Sequence, residues 1–312
     1  MGINLRLTPE RYIANELRAP TDHHRTDGLG HGHAHCGNPG CSRGWLAILK
    51  DSRRPVFEGR WGCCGPCVGS LVDAAIRRES GNDEVPPDQG GHRHRMPLGL
   101  ILLGQGKITH PELRHVLDLQ RRAKSGRIGD WLIEQCGLTQ GDITRALSVQ
   151  WQCPVLTMEG FNPEAMALAV PRLLTETLGI VPLRIAGRQI LYLAFVDQLD
   201  ASAAFAMERM SGLSVQSGLA DPAEWAGARQ RLCACDGIDA KFESVVDLDS
   251  MSRTIKSTIV GIQPRASRLV RIHQFYWLRM WLETGAMTTR NGGVPATRED
   301  VSDRIYAVAP EQ

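Results

Sequence analysis

Neither an excess of charge, nor a long apolar run, nor a phosphate-binding loop occurs in this chain of 312 residues, and each absence removes a class of function. Lys and Arg number 36 against 34 Asp and Glu, a formal net charge of +2, so bulk electrostatics draw the chain neither to nucleic acid nor to an anionic membrane. No apolar run approaches the roughly 18 residues that would cross a bilayer, and membrane insertion is not expected. The N-terminus carries no apolar h-region, so a cytoplasmic protein is the expectation. Aromatic residues make up only 5%, and few flank Arg43, Lys50, Arg53, Arg54 and Arg60, the basic residues of the Cys-rich segment. No G-x4-G-K-[ST] string is present, which excludes ATP hydrolysis through such a loop. Nor does any Ser/His/Asp or Cys/His arrangement carry a local signature. His273 reads as a packed or exposed polar residue of a helix, and Asp197 and Asp200 as turn residues after a strand. No catalytic residue is assigned, and the chain is expected not to be an enzyme.

Hydrophobic residues make up 42%, enough for two or three cores. Nine cysteines, five of them crowded between Cys36 and Cys67, favour metal over disulfides in a chain without an export signal. The chain reads as a flexible arm at 1–35, with a Gly/His-rich stretch at 28–35, then a Cys-rich module at 36–79 and a Pro/Gly linker at 80–94. A tandem repeat with a small α/β subdomain follows at 95–235, and a C-terminal helical region at 236–312. In the α/β part, strands are expected at 181–185 and 189–195 around a turn at 186–188, then a helix at 201–210, a strand at 214–218 and a helix at 222–232. Two helices are expected beyond a break at 235–237. One covers 245–262, with Leu248, Met251, Ile255, Ile259 and Ile262 at helical spacing. The other, 265–283, is apolar on much of its circumference and is expected to be buried or to meet a partner.

The clustered cysteines fall as Cys36-x4-Cys41, 21 residues, then Cys63-x3-Cys67, with Cys64 as an extra thiol. Two such pairs across a hairpin supply the four soft ligands that zinc takes at tetrahedral geometry. Strands at 45–49 and 55–61 flank a polar turn at 51–54. A helix then carries Pro66 in its first turn and Val68, Leu71, Val72 and Ala75 on one face, which makes a treble-clef arrangement. Four protein ligands leave no open position for a water, so the ion's job is structural. His31, His33 and His35 are competing ligands. The module resembles the small four-cysteine fingers of the TRASH/MYM kind, whose second pair also sits in a W-x-C-x-x-x-C context, here at 61–67.

A 24-residue pattern occurs twice, at 97–120 and 127–150, offset by 30 positions. Leu98 aligns with Ile128, Gly99 with Gly129, Leu102 with Leu132, Ile108 with Leu138, Leu113 with Ile143, Leu117 with Leu147 and Gln120 with Gln150. Each copy reads as a short helix opened by x-[LI]-G, a turn, and a second helix ending in Gln. Thr109, before Pro111 and Glu112, and Thr139, with Asp142 placed as a capping-box acid, are the expected N-caps. A pseudo-symmetric pair is a natural cradle for a pseudo-symmetric ligand, although the pattern alone also describes a plain four-helix packing unit.

The repeat resembles the MshEN family, the N-terminal domain of type II secretion and pilus-extension ATPases. That family's signature is two tandem motifs of the form R-L-G-x-x-L-x-x-x-G-x-[LI]-x4-L-x3-L-x2-Q. The resemblance covers the 54 residues 97–150 and continues through the α/β part to Leu232, with 181–183 and 195–200 standing where such proteins carry VLPL and ADPxD-like segments. It implies cyclic di-GMP as the ligand, one half per motif. The implied contacts are Leu98, Gly99, Leu102, Gly106, Ile108, Leu113, Leu117 and Gln120 from the first copy. The second copy supplies Arg127, Ile128, Gly129, Leu132, Leu138, Ile143, Leu147 and Gln150. An arginine fork suits the O6/N7 edge of guanine, glycine admits close backbone approach, and amides at a helix start suit phosphate. The chain departs from the signature twice. Pro97 stands where the first motif has Arg, leaving Arg95 as a substitute, and Cys136 stands where the second has its middle Gly, with Gly137 one place late.

The expectation is therefore an α+β protein: a small treble-clef-like zinc module, an MshEN-like domain of tandem helical motifs plus a small α/β subdomain, and C-terminal helices. Zn2+ bound by Cys36, Cys41, Cys63 and Cys67 is the structural cofactor. The expected partners are cyclic di-GMP and a secretion, pilus or other regulatory protein. With no phosphate loop, the chain reads as a sensor or adaptor detached from a motor. The alternatives are a protein-interaction adaptor with a degenerate nucleotide site, and a nucleic-acid-binding regulator acting through the zinc module.

Overall fold

The tandem repeat folds as two helix pairs that exchange partners. In the computed structural model, which describes residues 36–41, 55–81, 95–187, 189–283 and 293–309, the chain is α+β. The arm at 1–35, the expected strand at 45–49 with its turn, and residues 82–94 of the linker lie outside the described residues. So do Arg43, Lys50, Arg53, Arg54, His31, His33 and His35. The first described helix, α1 (Gly65–Gly81), belongs to the cysteine module. The repeat forms α2 (Leu98–Gly104), α3 (His110–Ala123), α4 (Ile128–Cys136) and α5 (Gln140–Trp151), with α2 lying against α5 and α3 against α4. Both long helices open on a reciprocal capping box, Thr109 with Glu112 and Thr139 with Asp142, which satisfies amides the helix cannot. The aligned apolar positions make one core; Leu102 and Leu132 are fully buried, each contributing about 1.5–3 kcal/mol.

After α6 (Pro163–Met166) and α7 (Arg172–Leu178) comes a three-stranded sheet, ordered β3 (Val181–Ala186), β4 (Ile190–Phe195), β5 (Ser214–Leu219). β3 and β4 are an antiparallel hairpin; β5 runs parallel to β4 and is reached through α8 (Ala201–Ser211). Helix α9 (Pro222–Ala234) closes this half. The segment leaving the repeat docks on β5, with Leu156 N–H donating to Leu219 O at 2.7 Å.

The C-terminal region departs from expectation. Helix α10 (Leu248–Ile262) forms, but 265–283 is not a helix. It is the hairpin β7 (Ala266–Ile272) and β8 (Phe275–Trp281), in a sheet ordered β6 (Lys241–Val245), β9 (Val301–Val308), β8, β7. The reason is burial on both faces. Val270, Ile272, Trp277, Trp281, Val301 and Ile305 pack on the α/β half, while Leu269, Tyr276, Leu278, Met280 and Tyr306 pack beneath α1 and α10. A strand enclosed by two layers has no polar alternation, so its sequence imitates an all-round apolar helix.

The cysteine module is one outer layer of this sandwich. Phe57, Val68, Leu71, Val72, Ala75 and Ile76 share a core with Met251, Ile255, Ile259 and the sheet. Residues 55–61, expected as one strand, instead turn back on themselves. β1 (Val56–Phe57) pairs with β2 (Arg60–Trp61) across Glu58 and Gly59, at φ 48° and 75°, the double left-handed turn of a tight hairpin. At the far end of α1, Glu79 (2% exposed) accepts from Arg78, from Arg209 of α8 at 2.6 Å and from the Arg271 backbone N–H at 3.0 Å. That single carboxylate ties the module, the α/β half and the sheet together.

His273 lies in the β7–β8 turn at φ 54°, not in a helix, and its Nε2 is 2.7 Å from Asp200, the N-cap of α8. The Asp200 hydrogen bond raises the imidazole above its ordinary 6.5, against the opposing effects of burial and of Arg271. A raised folded value means that this contact stabilises fully below about pH 6.5 and fades as pH rises through the folded value. Thermal unfolding across that window should show wild type losing stability relative to His273→Asn, whose side chain tolerates positive φ. Parallel curves for the two proteins would contradict the pairing.

Candidate functional site

Four sulfurs meet at the start of α1. The Sγ atoms of Cys36, Cys41, Cys63 and Cys67 all lie within 4.8 Å of one another. Cys41 and Cys63 are 3.4 Å apart and Cys63 and Cys67 3.6 Å, far beyond the about 2.05 Å of a disulfide. A tetrahedral ion with sulfur at about 2.3 Å places its ligands about 3.8 Å apart, so the quartet matches a four-coordinate soft metal. One backbone and one side-chain amide orient it: Cys63 N–H points at Cys36 Sγ (3.5 Å) and Asn38 Nδ2–H at Cys67 Sγ (3.4 Å). Burial raises Cys67 to about 11, and burial with neighbouring thiols raises Cys63. Burial opposes ionisation of Cys36 too, but N–H groups of Asn38 and Cys63 bring it below its usual value. Burial thus favours the neutral thiols of Cys63 and Cys67, whereas a dication at the centre would favour all four thiolates. Cys64, 3.8 Å from Cys63 Sγ, stands outside the quartet.

The second candidate site is the repeat. Its two terminal glutamines exchange contacts: Gln120 Nε2–H donates to Gly126 O at 3.0 Å and Gln150 Nε2–H to Met96 O at 2.8 Å. Both donors and both acceptors are separated by the repeat offset, so the unit has an internal pseudo-twofold. The starts of α2 and α4 are neighbours, since a Cβ on Gly129 would stand 3.9 Å from Leu98 Cδ2. Both motif glycines serve helix packing. A Cβ on Gly99 would approach Leu113 Cδ1 to 2.6 Å, and one on Gly129 would approach Ile143 Cγ2 to 3.1 Å.

The expected ligand contacts therefore divide. Leu98, Leu102, Ile108, Leu113, Leu132, Leu138 and Ile143 are buried, with Leu117, Ile128 and Leu147 packed half-buried against them. These residues form the core of the repeat, whose surface carries exposed Arg127 together with exposed Met96, Leu100 and Val149. Gly106 turns the chain after α2 at φ 68°; Gly137 does so after α4, also at φ 68°, one residue later because α4 is longer. Cys136 thus ends a helix, and the glycine's role is kept next door.

Arg127 is the N-cap residue of α4, its side chain 71% exposed and paired with Asp197, which follows β4 at φ 67°. Asp197 serves the turn expected of it after the strand, and the sequence pattern gives no local sign of its pairing with Arg127. Pro97 occupies the matching N-cap of α2 and brings no side-chain donor. Arg95 stacks its guanidinium 3.5 Å from the ring centre of Trp151. The arrangement offers one exposed guanidinium fork, one carboxylate, and backbone N–H groups at two adjacent helix starts.

No protein-family model matches the chain, and no curated protein matches it. Among solved structures, one described as "Structure of MshE with cdg" is similar at 22% identity and a TM-score of 0.38, over 44% of this chain and 99% of that one. Among the described residues, no helix is long and apolar enough to cross a membrane.

Proposed function

We propose that this chain is a non-enzymatic cyclic di-GMP sensor or adaptor, related to the N-terminal domain of type II secretion and pilus ATPases and working in the cytoplasm on a secretion, pilus or other regulatory protein. The observation that carries the reading is the reciprocal Gln120–Gly126 and Gln150–Met96 exchange, which makes a two-motif sequence into a pseudo-twofold surface. A cyclic dinucleotide has the same symmetry. Arg127, released from Asp197, offers its fork to guanine O6 and N7, and Asp197 can then accept from the exocyclic amine. Helix-start amides of α4 receive phosphate oxygens. The four cysteines hold Zn2+ as a structural ion: the donor set is all thiolate and leaves no ligand position for substrate.

Pro97 favours a second reading, an adaptor whose nucleotide site has decayed, because it removes one of the two forks. Calorimetric titration with cyclic di-GMP separates the two. The sensor gives saturable heat that Arg127→Ala reduces by about tenfold to a hundredfold in affinity. The adaptor gives none in either protein.

A further inference from the structure

The C-terminal sheet has two edges that the fold treats differently. At β7, the cysteine module is pinned alongside: Val56 N–H donates to Pro264 O at 3.2 Å, Glu58 N–H to Ser267 O at 2.8 Å, and Ser267 Oγ–H to Val56 O at 2.8 Å. At the other edge stands β6, and among the described residues no strand pairs with its outer side. Val245 O accepts from Ala309 N–H at 2.9 Å, inside the sheet. By strand alternation Lys241, Glu243 and Val245 direct their backbone groups inward, and Phe242 and Ser244 direct theirs outward. Two apolar side chains are exposed here, Phe242 at 49%, its ring edge-to-face with Phe275 at 6.5 Å, and Val246, just beyond the strand, at 79%. An open edge with apolar side chains invites another strand.

We infer that β6 pairs antiparallel with β6 of a second copy of this chain, joining the two sheets edge to edge. The charges select both partner and register. A twofold through Phe242 makes it a hydrogen-bonded pair with its own copy, ring beside ring, and sets Lys241 opposite Glu243 of the second copy at both ends. A twofold through Glu243 would oppose two carboxylates, and one through Ser244 moves Lys241 away from Glu243 to Asp247, which lies beyond the strand as the N-cap of α10. Within one copy, Lys241 already sits 3.2 Å from Glu243, which Arg304 also holds, so the charges are in place on the correct face. A strand whose own sequence complements itself about one residue fits a second copy. This pairing is independent of nucleotide binding.

The test is sedimentation equilibrium of the full chain across a wide concentration range, with Phe242→Lys and Phe242→Pro. Proline removes only an outward N–H at this edge, and lysine strains no backbone and places like charges across the axis. Wild type should dimerise, and each variant that keeps the wild-type circular dichroism should dimerise about tenfold more weakly or not at all. Phe242→Cys should give a disulfide-linked dimer under mild oxidation, because a hydrogen-bonded antiparallel pair holds its Cα atoms about 5.5 Å apart. Val260→Cys, on exposed α10, should give no link above the wild-type background. A wild type that stays monomeric, a dimer that survives Phe242→Lys, or no extra cross-link at Phe242→Cys would overturn the inference.

Discussion

Stripping the metal from purified protein, or replacing Cys63 by Ser, is expected to unfold the cysteine module and strip one layer from the C-terminal sheet. Structural zinc contributes about 10–16 kcal/mol of apparent folding free energy in isolated fingers. The loss here should be smaller, because α1 keeps Val68, Leu71, Val72 and Ile76 against Ile255, Ile259 and the sheet. The least supported residues are 36–41, held by the sulfurs and by Gly37 N–H on Trp61 O, followed by the short hairpin β1–β2, which adds Phe57 in the core and three hydrogen bonds to 264–267. Hydrogen exchange should therefore show their amides losing protection first, with α1 following at lower temperature than the repeat. Metal analysis should find one ion per chain, and cobalt substitution should give the spectrum of a tetrahedral thiolate site. Metal-free protein with unchanged protection at 55–64 would show that the quartet holds nothing.

The second large effect concerns a pair on the other face of the same sheet. Arg279 and Asp303 are 1% and 0% exposed at their side chains, joined at 2.9 and 2.8 Å, with Arg279 Nη1–H also donating to Ala169 O at 3.2 Å. Asp303→Asn leaves a guanidinium buried without its counter-charge, and the expected cost is about 3–5 kcal/mol. The double replacement Arg279→Met with Asp303→Leu should cost less than either single change, because it removes both desolvation penalties at once. Because Ala169 belongs to the α/β half, loss of the pair should loosen the sheet against that half before it disturbs the repeat. Urea unfolding of the four proteins measures this. A single variant close to wild type would mean that the pair is not sealed from water.

Much of this fold was legible because local signals agreed. In the repeat, apolar spacing, the x-[LI]-G openings and threonine caps all indicated the same helices, and strands 181–186 and 190–195 carried clear turn punctuation between them. The hairpin at 266–281 was not legible by periodicity, since strands buried on both faces leave no polar rhythm. Its β-branched and aromatic content, Val270, Ile272, Phe275, Tyr276, Trp277 and Trp281, was the better guide. At the first site, cysteine spacing was enough to pick out the four thiols that come together, because two short chain segments set their positions. The repeat yielded its positions but not their division of labour. Leucines aligned by a motif turned out to be core, and the partner of Arg127 lay 70 residues downstream, where no local pattern reaches.

The account turns on the pseudo-twofold surface being a nucleotide site with one fork missing. Calorimetric titration of metal-replete wild type, Arg127→Ala and Pro97→Arg with cyclic di-GMP tests this most directly. The backbone of Pro97, at φ −56° and ψ 140°, is open to arginine, and Arg127 sits in a similar N-cap conformation at φ −88° and ψ 148°. The predicted order of affinity is Pro97→Arg above wild type by about tenfold to a hundredfold, and Arg127→Ala below it by a similar factor. No heat from any of the three, Pro97→Arg included, would contradict a nucleotide site here and leave the repeat as a packing unit.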